Sequence, residues 1–313
     1  MMSETRQLPL FATLTATEAD LNAHTRLRDS MALFQQHLIK LGKTEHTVKA
    51  FTADLHLLGE WGGDERPLGS YTTSTLNEFL HWLEVGRGVP CSRKSYARRV
   101  TTLKVYFRWL HRLAAIPLDP ANAVLQRSGQ APLSEVLTPD EVEAASAYAA
   151  RLRGAEKPDT RPEMLFRLLV TTGIKKGEAV NLTLASLDRL GESPVLVIEH
   201  KTPKDLYKER RIELDPTWLA LYDAYIAQYA PKAAIFTCTA RNLEYILGDV
   251  GRGAGIDAKL SFEMLRWTCG VRDYRAGLDP DYIREKLGLS KVSWVETFDK
   301  IKRLTDAQLK DEA

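Results

Sequence analysis

Between residues 26 and 115, apolar side chains recur in four runs at helical spacing, and turn residues punctuate the runs. The first run carries Met31, Phe34, Leu38 and Leu41 and stops at Gly42; the second carries Val48, Phe51, Leu55, Leu58 and Trp61 and stops at Gly62 and Gly63. A third, from Thr72, presents Leu76, Phe79, Leu80 and Leu83 before the loop from Gly86 to Pro90. The fourth, over 92–115, places Tyr96, Val100, Leu103, Phe107, Leu110 and Ala114 alternately four and three residues apart, which buries one face of a long helix. Four amphipathic helices in succession predict a helical first domain.

The opposite face of that fourth helix has one sign of charge. Arg93, Lys94, Arg98, Arg99, Lys104, Arg108 and Arg112 fall on it, and no acidic residue occurs between Cys91 and Leu118. Solvated helices usually mix signs and gain pairs four residues apart, so an unmixed row favours a polyanion. The net charge of +2 is uninformative by itself, but its distribution is not. Residues 26–128 carry 15 Lys/Arg against 9 Asp/Glu, whereas 129–313 carry 27 against 29.

Residues 1–25 lack sustained periodicity and read as a flexible arm. A polar stretch over 129–136 reads as a linker, after which Thr138, Pro139 and Glu141 form a capping box that starts a new helix. The second half is mostly helical, with runs over 164–171, 178–184, 218–229, 241–251 and 262–275. Two β-rich runs, 194–200 and 210–214, flank a charged turn and predict a hairpin. The chain is thus mainly α with a small antiparallel sheet, and 313 residues suffice for two cores. No apolar run reaches a membrane-spanning length and no signal peptide is evident, which points to the cytoplasm. Cys91, Cys238 and Cys269 are far apart and show no metal-ligand spacing, so they read as packing residues, with no metal or organic cofactor expected.

The order of these motifs resembles the tyrosine recombinase (phage integrase) family. The four-helix stretch over 26–128 is similar to its SAM-like core-binding domain, and 137–304 to its catalytic-type domain, with 305–313 as a C-terminal tail. Family members have Thr-Gly-x-Arg-x-x-Glu; here the run is Thr172-Gly173-Ile174-Lys175-Lys176-Gly177-Glu178, placing Lys175 at the arginine position, or Lys176 under a one-residue shift. Lys201, in a hairpin turn that also holds Lys204, matches the family's general-acid lysine. Glu263 stands where the His-x-x-Arg box has histidine, and Arg266 keeps the arginine. Leu289 replaces the histidine of Leu-Gly-His, and Phe298, nine residues on, occupies the position of the nucleophilic tyrosine.

Attack on a phosphodiester needs a nucleophile, donors for the pentavalent intermediate and an acid for the leaving oxygen. A lysine at 175 keeps the charge but loses the guanidinium fork. Glu263 repels phosphate unless it turns toward an arginine, so Arg266 is left with two candidate partners, a phosphate or Glu263. No histidine follows His200, and the last tyrosines, Tyr274 and Tyr282, precede the Leu-Gly turn. The resemblance therefore implies a catalytically degenerate member, not an enzyme, that binds duplex DNA site-specifically without cutting it. Arg93, Lys94, Arg98, Arg99, Lys104, Arg108, Arg112, Lys175, Lys201, Lys204 and Arg266 would be its DNA contacts, with Arg98, Arg99 and Lys104 as candidates for reading bases. Alternatives are an active recombinase with a rearranged site or a nucleophile from another subunit, and a protein-interaction partner of active recombinases. Self-association on DNA, for example by exchange of the tail through Leu304 and Leu309, and a nucleoid-associated location in a bacterium complete the expectations.

Overall fold

The computed structural model describes residues 17–125, 134–200 and 203–311, without the side chains of Lys204 and Asp311. The chain divides into two compact units, Met1–Ala131 and Pro132–Ala313.

The first unit is helical. A 3-10 turn at Glu18–Asp20 leads into α1 (Leu27–Lys40), α2 (Glu45–Gly62), α3 (Thr73–His81) and α4 (Arg93–Arg112). The stops fall where the glycines stand: Gly42 and Gly63 take left-handed backbone conformations that a side chain would strain. Phe34, Tyr106 and Phe107 fill the centre, with Phe34 meeting the edge of Tyr106 at 5.1 Å. The expectation of a flexible arm over 1–25 is corrected for residues 17–25. Leu21 joins this core, and the carbonyls of Ala23 and Thr25 accept hydrogen bonds from Gly69 and Leu68. Residues 1–16, and 126–133 of the expected linker, lie outside the described residues.

The second unit opens with α5 (Pro139–Arg153), whose capping box forms as the sequence suggests. The Glu141 amide donates to the Thr138 hydroxyl at 3.2 Å and the Thr138 amide to the Glu141 carboxylate at 2.8 Å. Thr138→Ala is expected to cost about 1 kcal/mol, read as a lower urea midpoint. Then come α6 (Arg161–Thr172), α7 (Lys176–Asn181), the strands β1 (Leu187–Asp188), β2 (Val195–Ile198) and β3 (Arg210–Glu213), and helices α8 (Trp218–Tyr229), α9 (Ala240–Gly253), α10 (Phe262–Arg275), α11 (Pro280–Lys286) and α12 (Lys291–Asp311). The expected hairpin is β2 and β3, paired antiparallel with Leu196 opposite Ile212, and the short β1 adds a third strand on the far side of β2.

The last residues are not a separate tail. α12 runs continuously to 311, burying Ile301 and Leu304 against Val271, Ile283 and Leu287 of its own unit. Gln308 donates to the Leu137 carbonyl at 2.9 Å, while Leu309 stays exposed. Exchange of this segment with a neighbour would have to break those contacts. Among the described residues, no helix is long and apolar enough to cross a membrane.

Candidate nucleic-acid interface

Arg266 projects from the first turns of α10 and bridges two helix ends. Its Nη1 donates to the Gly173 carbonyl at 2.6 Å and its Nη2 to the Leu287 carbonyl. Both acceptors end helices, α6 and α11, where carbonyls lack intrahelical partners and a cation is favoured. The approach depends on two glycines. A Cβ on Gly173 would lie 2.7 Å from the Leu287 side chain, and one on Gly288 would lie 2.7 Å from the Arg210 guanidinium. Both glycines have positive φ.

Of the two partners offered for Arg266 by the sequence, Glu263 is not taken up: the guanidinium turns to the two backbone carbonyls instead. Glu263 is exposed on the first turn of α10, a favourable place for a carboxylate at a helix N-terminus, and makes no ion pair among the described residues. Burial pushes the Arg266 guanidinium down to about 10, with Glu178 opposing that shift and Arg210 adding to it.

Glu178 is the hub of the neighbourhood. It accepts two hydrogen bonds from Arg210, at 3.1 and 2.8 Å, and a third from the Lys175 amide at 2.8 Å. Burial alone would raise its carboxyl, but the Arg210 bonds and charge outweigh it and hold the group below the usual carboxylate range. The His200 ring lies 3.5 Å from the same carboxylate without forming a hydrogen bond. Arg210 is further fixed by the carbonyls of Lys286, at 2.7 Å, and Lys208, at 2.9 Å. Lys175 precedes α7 and lines a cleft of about 730 Å³ with Glu178, His200 and Lys208. Its ammonium is held below the ordinary lysine value by burial first, then by the charge of Arg266, with Lys208 and Arg210 contributing and only Glu178 opposing. The geometry therefore gathers Lys175, Lys208, Arg210 and Arg266 around one buried carboxylate.

Lys201 lies outside the described residues, as does the side chain of Lys204. Lys176, the alternative to Lys175, points elsewhere and pairs with Glu244 at 2.8 Å. Leu289 is half-buried against the small core around Leu287. Phe298 stacks on Trp294 at 5.1 Å and meets Tyr274 edge-on at 5.5 Å, with the Lys302 ammonium 5.0 Å from its ring. Cys269 is buried and its thiol is pushed up to about 12, mainly by burial, consistent with a packing role.

On α4 the seven basic residues separate into two groups. Arg98 donates to both oxygens of the buried Asp54 on α2, at 3.1 and 2.6 Å, and Arg99 lies 3.7 Å from the same carboxylate. α2 thus supplies the acid that α4 lacks, and it pairs with these two candidates for base reading, of which Arg98 stays 42% exposed. Arg93, Lys94, Arg108 and Arg112 are exposed and Lys104 half-buried. Sequence reasoning missed Arg210, Lys208 and Asp54; the run Lys208-Glu209-Arg210 entering β3 was the one local signal for the first two.

Residues 135–302 match the phage integrase family, and 31–113 match the phage integrase N-terminal SAM-like domain. The chain belongs to the phage integrase family. Its fold class is the expected one, a SAM-like helical domain followed by an integrase catalytic-type domain with a small antiparallel sheet. Tyrosine recombinase XerC of Mycobacterium tuberculosis (strain CDC 1551 / Oshkosh) is 30% identical over 159 residues, which is 50% of this chain and 52% of the relative. The XerC of Mycobacterium sp. (strain KMS) is 27% identical over the same shares. The match thus spans about half the length of these relatives.

A lambda integrase dimer bound to a COC' core site superposes with a TM-score of 0.69 at 15% identity, covering 87% of this chain and 77% of that one. XerH site-specific recombinase bound to palindromic difH, a post-cleavage complex, gives 0.69 at 16%, covering 94% and 91%. At such identities the likeness shows a shared fold. The expectation that this integrase-family chain is not an enzyme is corrected by these matches, since its relatives are named tyrosine recombinases, an enzyme family. That expectation rested on the residues at the family's site positions, Lys175, Glu263, Leu289 and Phe298.

Proposed function

We propose that this phage integrase family protein binds duplex DNA at specific sites and acts there as a recombinase-family protein. The carrying observation is the electrostatics of the Glu178 neighbourhood. Lys175 and Arg266 are both held below their ordinary values by burial and neighbouring cations, and one carboxylate offsets them. A bound phosphate would relieve that repulsion and restore the favoured charge. The DNA-bound state of the lambda integrase and XerH structures supports the same reading. In this reading Lys175, Lys201, Lys204, Lys208 and Arg266 serve the backbone from the second unit. Arg93, Lys94, Lys104, Arg108 and Arg112 serve it from the first, and Arg98 and Arg99 hold α4 to α2. A cytoplasmic, nucleoid-associated location follows from such a ligand.

Lys175→Ala tests the phosphate contact. Its duplex affinity, measured by fluorescence anisotropy across a salt series, is expected to fall, with the slope of log K against log salt reduced by about 0.9. An unchanged slope would remove Lys175 from the interface.

A second reading, strand cleavage, is favoured by the names of the relatives. Phe298 has no oxygen with which to attack phosphorus, so the nucleophile in that reading is a hydroxyl elsewhere in this chain or in a second subunit. A nicked duplex that traps the covalent intermediate tests it. An adduct mapped to a tyrosine peptide establishes cleavage, and absence of an adduct on a duplex that the protein demonstrably binds rejects it.

A further inference from the structure

A second pocket of about 350 Å³, beside the phosphate site, is lined by two tyrosines, Tyr207 and Tyr282. Tyr207 stands on the 3-10 turn Pro203–Lys208 between β2 and β3, and Tyr282 on the first turn of α11. They are 58% and 47% exposed, unusual for rings that could have packed inward. Neither stacks on the other or on any further ring among the described residues; the Lys208 ammonium lies 5.3 Å from the Tyr207 ring. Two open aromatic faces therefore share one cavity.

The remaining walls are charged. Arg210, Arg211, Arg284 and Lys286 line the pocket with Glu209 and Glu285, and each of the four cations is ion-paired. Arg211 pairs with Asp188, Arg284 with Asp281 and Glu285, and Lys286 with Asp273. These pairs balance the charge of the walls, which leaves the two ring faces as the pocket's distinctive feature. The volume lies at the lower end of small-ligand pockets, which begin at about 300 Å³. Position adds the last constraint. Gly288 lines the pocket and directly follows Leu287, whose carbonyl holds Arg266, while Arg210 belongs both to the pocket wall and to the Glu178 hub.

We infer that this pocket accepts one unstacked nucleotide of the bound DNA, its base lying on the Tyr207 and Tyr282 rings. Open aromatic faces are what an unpaired base recognises, and every base has a face to stack, so the contact tolerates any sequence. The inference rests on the duplex-binding reading above and adds a local opening of the duplex next to the Arg266 phosphate.

The test compares two 20-bp duplexes that differ only in one central unpaired nucleotide, by anisotropy with the full chain. The bulged duplex is expected to bind roughly tenfold more tightly, at the low end of what one base stacked on aromatic residues contributes. Tyr207→Leu and Tyr282→Leu, which keep apolar bulk but lose the flat face, are expected to bring the ratio of affinities toward one. Both positions are exposed, so the variants should retain the wild-type circular dichroism melt. Equal affinity of the two duplexes, or a preference that survives both substitutions, overturns the pocket while leaving duplex binding intact. Failure of both duplexes to bind overturns the two readings together.

Discussion

Replacing Glu178 with alanine is expected to destabilise the second unit by about 3–5 kcal/mol, the usual consequence of leaving one partner of a buried ion pair behind. The Arg210 side chain is only 5% exposed and would lose both carboxylate bonds, retaining the backbone carbonyls of Lys208 and Lys286. Urea unfolding reads this as a lower midpoint. The same carboxyl fixes a pH dependence whose sign is determined by its depressed pKa. Its contribution is fully present above the ordinary glutamate value of 4.5 and is lost as the pH falls through the lower folded value. The wild-type midpoint should therefore decline on acidification below that value, and Glu178→Gln, which keeps the shape without the titration, should flatten that limb. Removing the carboxylate also leaves Lys175, Arg210 and Arg266 without their shared counter-charge, so a bound phosphate should rescue much of the lost stability. A variant as stable as wild type would show that Arg210 is held by the carbonyls alone.

Asp54→Ala is expected to cost less in the first unit, about 2–3 kcal/mol, because the Arg98 side chain is 42% exposed and water takes over its bonds. Asp54 is 2% exposed and accepts from Arg98 twice and from the Thr102 hydroxyl at 2.8 Å, with Arg99 close by. Arg99, whose side chain is 11% exposed, would be left beside Cys91, to whose sulfur it donates at 2.7 Å. Because Asp54 fastens α2 to α4, its loss should also displace the exposed Arg93, Lys94, Arg108 and Arg112 and weaken DNA binding in proportion to unfolding. Asp54→Asn, which can still accept from Thr102, should recover part of the stability. A small effect of Asp54→Ala on the urea midpoint would mean that Arg98 and Arg99 reach solvent without it.

Helix placement was legible because periodicity and glycine stops are local. Gly42 and Gly63 end α1 and α2 where the pattern runs out, and the capping box at Thr138 starts α5. The hairpin was legible from its β-branched residues and charged turn, but β1 was not, since two residues carry no alternation. The charge argument on α4 was incomplete because it surveyed one helix, while the acid that engages Arg98 and Arg99 lies 44 residues before Arg98. Arg266 was recognised from its motif, but its actual acceptors are backbone carbonyls, which have no sequence signature. The position of Phe298 was found by counting. Its packing against Trp294 and Tyr274 exists only once α10 and α12 are folded together, and the pocket between Tyr207 and Tyr282 only once β3 meets α11.

Site-specific duplex binding is tested most directly by incubating the full chain with fragmented genomic DNA from its source at near-physiological salt, recovering the bound fraction and sequencing it. The expected result is strong enrichment of one short site, with recovery falling steeply as salt is raised, because phosphate contacts dominate affinity. Recovery without enrichment would contradict site specificity. No recovery at any salt concentration would contradict DNA binding itself.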